Sequence, residues 1–294
     1  MKTKQITYIE IGATLFIPAM HKSLKDIVCL NKYPNLKSVL IDTEDSLLEE
    51  DLDSSLLRIE ELLEKYEKKE LLVFIRPRDV ACLSVLLKMK NIAKVDGFIL
   101  PKFSLDNASE YLALLEDKDF LLMPSIEGKE LFEQMKLLQL RELLLPIKEK
   151  IPLLRYGLED MLKQLGMKRS CEESAFDYAV TSYLLGQFIS IFKSAGFPIS
   201  GGVFPCFKDE TGLKKDVLRD LKEGLFGKTI IHPNQIGICN ELYKVSQKEY
   251  KEAVEILQSK QVIFSQDSKM AETKTMSNYS KEIVKRKEVY GLVE

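Results

Sequence analysis

The sequence predicts a (β/α)8 barrel followed by a C-terminal helical extension. Eight short runs of apolar or β-branched residues recur along the chain, and longer stretches with helical periodicity separate them. Several of these runs are almost continuously apolar, which is typical of strands buried on both faces of a parallel sheet. Eight alternations favour a closed barrel over the main alternative, a doubly wound open sheet.

The predicted elements alternate regularly, with one longer interval between the sixth and seventh strands. The predicted strands are 14–18, 38–44, 71–77, 97–102, 120–127, 152–157, 199–204 and 228–233. After the second strand, Leu52, Leu56, Ile59 and Leu63 form the apolar stripe of an amphipathic helix. The segment ESAFDYAVTSYLLGQFISIFKSAG predicts a long helix closed by Gly196, and a shorter helix precedes the eighth strand.

The pattern changes near residue 245. Ser246 and Glu249 predict a capping box at the start of a further helix. A polar loop and a final basic helix follow it. We therefore assign 1–245 to the barrel and 246–294 to an extension that packs on the barrel or on a neighbouring subunit.

Composition excludes several classes of partner. The net charge of −2 leaves no basic surplus for nucleic acid. The longest uncharged run, 178–192, is too short to span a membrane, and the first residues lack the apolar segment of an export signal. The five cysteines are odd in number and contain no CxxC pair, which predicts reduced thiols in a cytoplasmic protein.

Charged and polar residues stand where the predicted strands end. Active sites of (β/α)8 barrels lie at the carboxyl ends of the strands, so we expect these side chains to converge on one rim. The residues are Pro18, Glu44, Asp45, Arg76, Lys102, Glu127, Asp160 and His232.

Two of these acids, Glu127 and Asp160, could together hold a hard cation such as Mg²⁺, which takes one or two carboxylates and keeps waters that a substrate can displace. The alternative for Asp160 is an acid that neutralises the N–H groups at the start of a helix. Arg76 could hold a substrate carboxylate with its planar guanidinium. It could also pair with Glu44, and both interactions can exist together.

The remaining candidates carry weaker predictions. Lys102 could form a Schiff base with a carbonyl substrate, although no activating group is close to it in sequence. His232 could act as a base or as a structural hydrogen-bond donor, and the isolated His21 indicates no role. The absence of GxSxG, P-loop and GxGxxG patterns argues against serine hydrolases, NTPases and dinucleotide-binding enzymes.

Seven segments, in this order, resemble the HpcH/HpaI aldolase and citrate lyase beta-subunit family. They are GATLFIPA, VLIDTEDSL, FIRPRD, GFILPKF, MPSIEG, RYGLEDM and GKTIIHPNQI, and they extend from about residue 12 to 240. KVDGFILPKF and KRKEVYGLV are particularly similar to the lyase-like branch found in tellurium-resistance and stress-response gene clusters.

The resemblance implies a TIM barrel with a Mg²⁺-dependent carbon–carbon lyase site. It places the metal on Glu127 and Asp160 and the substrate carboxylate on Arg76, beside the acidic pair Glu44 and Asp45. Pro18 and Lys102 stand at the same rim and are taken as further substrate-binding residues. In many relatives an Asp in a GKMVD segment reaches the site of an adjacent subunit, and Glu272 in SKMAE stands in that place here. It is our candidate for moving a proton.

The leading functional hypothesis is a lyase or aldolase that acts on a small 2-oxo or hydroxy acid through a metal-stabilised enolate. An acyl-CoA lyase, synthase or thioesterase is the enzymatic alternative. A ligand-binding or assembly component without catalysis is the alternative of a different class. The family resemblance also implies a homo-oligomer, a trimer or a hexamer.

Overall fold

The structure, a computed structural model, describes residues 6–266 and 269–293. Residues 1–5, which form part of the segment used in the export argument, lie outside this range. The chain divides into two units, Met1–Ile236 and Gly237–Glu294. The sequence places its domain boundary at residue 245, later in the chain than this division.

The first unit is built on seven parallel strands whose spatial order is β6-β5-β4-β3-β2-β1-β7. The strands are β1 (Ala13–Pro18), β2 (Ser38–Asp42), β3 (Leu72–Arg76), β4 (Gly97–Leu100), β5 (Leu121–Ile126), β6 (Arg155–Tyr156) and β7 (Lys228–Ile230). Strands β1 to β6 lie side by side in chain order, and β7 returns to pair with β1. This order is that of a barrel and not that of a doubly wound sheet.

The segment 199–201 closes the ring between β6 and β7. Isolated parallel bridges join Leu154 to Ile199 and Gly201 to Lys228. Toward β6, the N–H of Ser200 donates to the carbonyl of Leu154 at 2.9 Å. Toward β7, the N–H of Gly201 donates to the carbonyl of Gly227, also at 2.9 Å. The predicted (β/α)8 barrel is confirmed.

The strand predicted over 199–204 is wrong as a regular strand, because the described structure forms only these bridges there. A Cβ atom added to Gly201 would lie 1.9 Å from an oxygen of Asp220. That carboxylate and Asp216 both lie 2.7 Å from the buried ammonium of Lys228. The backbone at Gly201 therefore packs directly against this buried ion-pair cluster, and the segment pairs with its neighbours through isolated bridges and not through a regular strand.

Helices alternate with the strands along the chain, as the sequence predicts. They are α1 (Tyr8–Ile11), α2 (Leu24–Val28), α3 (Leu52–Lys65), α4 (Val80–Leu86), α5 (Ala108–Leu115), α6 (Gln134–Leu144), α7 (Leu158–Gln164), α8 (Ala179–Ser194), α9 (Glu210–Lys222) and α10 (Asn234–Leu242), which crosses the division between the units. Short 3-10 helices cover Glu49–Asp51, Ile92–Lys94, Lys129–Phe132, Leu145–Lys150 and Ala175–Asp177.

Helix α8 shows why the uncharged run 178–192 is a core element. It buries Leu184, Phe188 and Phe192 against the barrel unit, and the chain leaves it through Gly196, whose φ is +79°. The helix begins at Ala179, later than the sequence predicts, because Ala175–Asp177 forms a 3-10 turn. No described helix is long and apolar enough to cross a membrane.

The C-terminal unit packs around its own small core of Val245, Ala253 and Ile283. Its elements are α11 (Gln247–Gln258), β8 (Ile263–Gln266), β9 (Lys269–Glu272) and α12 (Thr273–Tyr290). The predicted capping box is confirmed, with the Ser246 hydroxyl accepting from the N–H of Glu249 at 3.1 Å. The antiparallel hairpin β8–β9 occupies a region predicted as a polar loop.

Two cysteines contradict the expectation of five reduced thiols. Cys171 and Cys206, 35 residues apart, form a disulfide, whereas Cys29, Cys82 and Cys239 are free and buried. The prediction failed because pairing depends on the folded positions of two loops and not on cysteine spacing. The thiol argument for a cytoplasmic location therefore no longer holds.

The disulfide predicts a defined thiol count. In denaturant without reductant, three of the five cysteines should react with a thiol reagent, and all five should react after reduction. Because the bond closes a loop of 35 residues in the unfolded chain, reduction should lower the free energy of unfolding by about 4 kcal/mol. Five reactive thiols before reduction would show that the bond does not form in solution.

Candidate active site

A cavity of about 210 Å³ opens at the carboxyl ends of the barrel strands. Leu40 and Ile99 belong both to its wall and to the apolar cluster that fills the barrel below it. The charged residues that line it are Asp45, Arg76, Glu127, Arg155, Glu159 and Asp160. The site therefore combines an apolar floor with several charged groups.

Glu127 follows β5 directly and is 5% exposed. One carboxylate oxygen accepts the backbone N–H of Lys102 at 2.7 Å, and the other accepts the hydroxyl of Ser125 at 3.0 Å. A Cβ atom at Gly157 would lie 2.4 Å from the second oxygen, so only glycine leaves room for this carboxylate. Burial raises the pKa of Glu127 to about 7, and the charges of Glu44 and Asp160 also raise it.

Asp160 lies in the first turn of α7 and is half-buried in the same cavity wall as Glu127. The side-chain amide of Gln164 donates to the backbone carbonyls of Glu127 and Asp160, at 2.8 and 3.1 Å. This bridge holds the start of α7 against the end of β5. The position is compatible with both predicted roles of Asp160, a helix N-terminal acid and a ligand beside Glu127.

The two carboxylates fit a hard divalent cation. Oxygen ligands suit such an ion, and a carboxylate buried with a raised pKa gains most from a nearby positive charge. In the described part of the chain no group of three or more His, Cys, Asp and Glu side chains is placed to hold a metal. The protein would thus supply Glu127 and Asp160, and solvent or substrate would supply the remaining ligands.

Arg76 ends β3 and is held by acids from the neighbouring strand end. Its guanidinium lies 2.5 Å from Asp42, 3.0 Å from Glu44 and 4.0 Å from Asp45. Burial lowers the pKa of Arg76, but the carboxylates of Asp42 and Glu44 outweigh burial and raise it above its usual value. The alternative predicted from sequence, an ion pair with Glu44, is present.

Asp42 was not singled out from the sequence. It is fully buried at the end of β2, directly beside Arg76 in the sheet register. It also accepts the N–H and the hydroxyl of Ser46, at 3.1 and 2.6 Å. The signal in the sequence was an acid and a base close to the ends of the neighbouring predicted strands 38–44 and 71–77.

Lys102 follows β4 with a left-handed backbone, φ +46°, and is one of three described non-glycine residues with positive φ. Its ammonium lies 2.6 Å from Glu44 and 3.2 Å from Asp45. Burial lowers the pKa of Lys102, but Glu44 and Asp45 reverse this effect and raise it above its usual value. A lysine that forms a Schiff base needs a lowered pKa, so the geometry argues against that role.

The other predicted residues take separate positions. Pro18, Lys102, His232 and Glu44 do not belong to the cavity lining, and Glu44 pairs with both Arg76 and Lys102. The His232 ring stacks on that of Phe207, with centroids 4.8 Å apart, and its Nδ1 accepts the N–H of Asn234 at 3.3 Å. The backbone N–H of His232 donates to the side-chain oxygen of Gln235 at 3.2 Å. Glu272 ends β9 in the C-terminal unit, and its catalytic role stays a prediction.

Arg155 is a second residue of the site that was not singled out from the sequence, and unlike Asp42 it lines the cavity. It begins β6, is 5% exposed and contacts the hydroxyl of Thr229 and the sulfur of Met123. The signal was a charged residue inside an otherwise apolar strand segment, PLLRYG.

A family model described as C-C bond lyase of the TIM-barrel fold matches residues 5–292. The chain belongs to this family. The family recognised from the sequence is thereby confirmed, and so is the predicted enzyme class, a carbon–carbon lyase.

Individual relatives agree with this assignment. A (3S)-malyl-CoA thioesterase of Cereibacter sphaeroides is 32% identical over 93 residues, which cover 32% of this chain and 31% of the relative. A citrate lyase from Burkholderia xenovorans has a TM-score of 0.76 at 17% identity and covers 96% of this chain and 92% of its own. CitE from Mycobacterium tuberculosis, solved with magnesium, acetoacetate and coenzyme A, has a TM-score of 0.65 at 17% identity, with 94% and 97% covered.

The matched segment spans only about a third of the length of the thioesterase, and the two solved structures share the fold at low identity. These comparisons identify the family and the barrel. They leave the reaction and the substrate to be inferred from the site itself.

Proposed function

We propose that this protein is a Mg²⁺-dependent carbon–carbon lyase that acts on a small 2-oxo or hydroxy acid. The observation that carries the proposal is the pair of carboxylates, Glu127 and Asp160, in one small cavity beside Arg76. CitE, which shares the fold, was solved with magnesium and acetoacetate. That structure supports the choice of cation and of a carboxylated ligand.

The cavity volume supports a small substrate. At about 30 Å³ per water molecule, 210 Å³ corresponds to roughly seven waters, which is space for a short-chain acid and not for a whole coenzyme A. A CoA thioester would therefore place only its acyl end in the cavity.

The residues of this chain would bind and orient the substrate. Glu127 and Asp160 would hold the cation, and Arg76 would turn its remaining N–H groups toward a substrate carboxylate. Asp42 and Glu44 hold the Arg76 guanidinium in place, which limits its rotation. A bound Mg²⁺ supplies Lewis-acid stabilisation of the charge that develops on the substrate when the carbon–carbon bond breaks.

Proton NMR of pyruvate in D₂O tests the proposal. We expect loss of the methyl signal when Mg²⁺ is present, no loss in excess EDTA, and no loss with Asp160→Asn. Glu130→Gln changes a buried acid near the site that does not line the cavity, and this variant should exchange at the wild-type rate. Exchange that persists in EDTA would contradict the metal-dependent reaction.

The second candidate is an acyl-CoA lyase, synthase or thioesterase. The thioesterase relative and the coenzyme A in the CitE structure favour it. No exchange with pyruvate, together with Mg²⁺-dependent cleavage or hydrolysis of malyl-CoA, would select this candidate. Mg²⁺ binding without turnover of either substrate would instead favour a ligand-binding or assembly component.

Several finer assignments belong to the proposal and await tests of their own. One is a homo-oligomer, a trimer or a hexamer, which sedimentation would measure. Another is that Glu272 reaches the site of a neighbouring subunit, which mixing Glu272→Gln with Asp160→Asn subunits would test. Recovery of activity on mixing would support exchange between subunits. Aldolase activity, the cytoplasmic location, the link to a stress-response cluster, and substrate contacts by Pro18 and Lys102 also stay predictions.

A further inference from the structure

Arg155 is a buried cation without an acidic partner in the described part of the chain. Its guanidinium donates to the hydroxyl of Thr229 and lies 3.8 Å from the sulfur of Met123. Neither neighbour carries a charge, and no described carboxylate forms an ion pair with it. Thr229 lines the cavity and Met123 belongs to the apolar cluster below it, so Arg155 lies where the floor meets the open space.

The other buried cations described in the barrel unit form ion pairs with carboxylates. Arg169 pairs with Asp216 at 2.8 Å, and Lys228 pairs with Asp216 and Asp220, each at 2.7 Å. Arg76, the other guanidinium of the cavity, contacts three acids. This protein thus pairs its buried cations with carboxylates, and Arg155 is the exception among the described residues.

An unpaired buried charge is costly, and it is retained where a ligand can complete its surroundings. Burial and, to a lesser extent, the nearby charge of Arg76 lower the pKa of Arg155 to about 10, although the charge of Glu127 acts in the opposite direction. The guanidinium is therefore charged at neutral pH, with donors available to a planar, bidentate acceptor. A carboxylate is such an acceptor.

We propose that Arg155 binds a second carboxylate of the substrate, so that the site takes a small dicarboxylate. One end of the ligand would lie at Arg76 and the acidic pair, and the other end at Arg155 on the cavity floor. The proposal rests on the proposed function for the existence of a substrate site in this cavity. It specifies in addition that the substrate carries two carboxylates and that Arg155 binds the second one.

Calorimetry with two ligands of nearly equal shape tests this assignment. Succinate carries two charges at pH 8, whereas its mono-amide, succinamate, carries one. In the presence of Mg²⁺ the wild-type protein should bind succinate about tenfold or more tightly than succinamate. Arg155→Met should bind both ligands with similar affinity, and Arg155→Lys should keep part of the preference.

Thermal unfolding without ligand separates a binding role from a structural one. Arg155→Met removes an unpaired charge and should raise the melting temperature, whereas the control Arg169→Met breaks a buried ion pair and should lower it. A lower melting temperature for Arg155→Met, equal affinities in the wild-type protein, failure of that protein to bind succinate, or a preference that survives in Arg155→Met would overturn the proposal.

These results are independent of the pyruvate experiment. If methyl exchange fails while the succinate preference depends on Arg155, the proposed reaction is wrong and the dicarboxylate site stands. If exchange succeeds while the preference does not depend on Arg155, the reaction stands and the role of Arg155 is wrong.

Discussion

Glu127→Gln should bind Mg²⁺ about 100-fold or more weakly than the wild-type protein, and without metal it should be more stable at pH 8. The loss of affinity follows because one of only two carboxylates at the site is removed. The gain in stability follows because the folded protein no longer has to bury an ionised carboxylate. Magnesium calorimetry and urea unfolding in EDTA measure the two effects.

The sign of the stability change comes from the pKa. Burial raises the pKa of Glu127 from 4.5 to about 7, so the folded protein holds one more proton than the unfolded chain between these values. The free energy of unfolding therefore falls as the pH rises through this window, by about 3 kcal/mol in total. Glu127→Gln should lose this pH dependence and should recover most of that free energy at pH 8.

The same proton competes with the metal. Because Mg²⁺ binds the ionised carboxylate, the apparent affinity of the wild-type protein should fall about tenfold per pH unit below pH 7. Glu130→Gln is the matched control, since Glu130 is also buried but lies outside the cavity lining. Wild-type Mg²⁺ affinity in Glu127→Gln would show that the cation binds elsewhere.

Asp42→Asn should lower the free energy of unfolding by roughly 3 kcal/mol, although the substitution hardly changes the side-chain volume. Asp42 is fully buried, and its charge is the partner closest to the Arg76 guanidinium, at 2.5 Å. The amide would leave a buried cation with less compensation and would also disturb the hydrogen bonds to Ser46. Urea unfolding at pH 7 provides the measurement.

Asp45→Asn serves as the control for this effect. The Asp45 side chain is 55% exposed and lies 4.0 Å from Arg76, so removal of its charge should cost less than about 1 kcal/mol of unfolding free energy. Equal losses in the two variants would mean that the buried position of Asp42 contributes nothing particular to holding Arg76.

Four of the residues at the predicted strand ends lie together in the structure. Asp45, Arg76, Glu127 and Asp160 do line one cavity. Their convergence was predictable because a buried parallel strand is a local pattern, and because the carboxyl ends of such strands face the same rim. Lys102 follows the same rule in sequence but turns its ammonium to Glu44, outside the cavity lining.

The sequence by itself determined the barrel, the family and the acids at the strand ends, since each depends on runs of residues that are adjacent in the chain. Only the tertiary structure decided that Asp42 holds Arg76, that Cys171 joins Cys206, and that Arg155 has no acidic partner among the described residues. These facts depend on distances between groups far apart in sequence, and burial sets their strength. Periodicity reports which face of an element is buried, but it does not report which charges meet there.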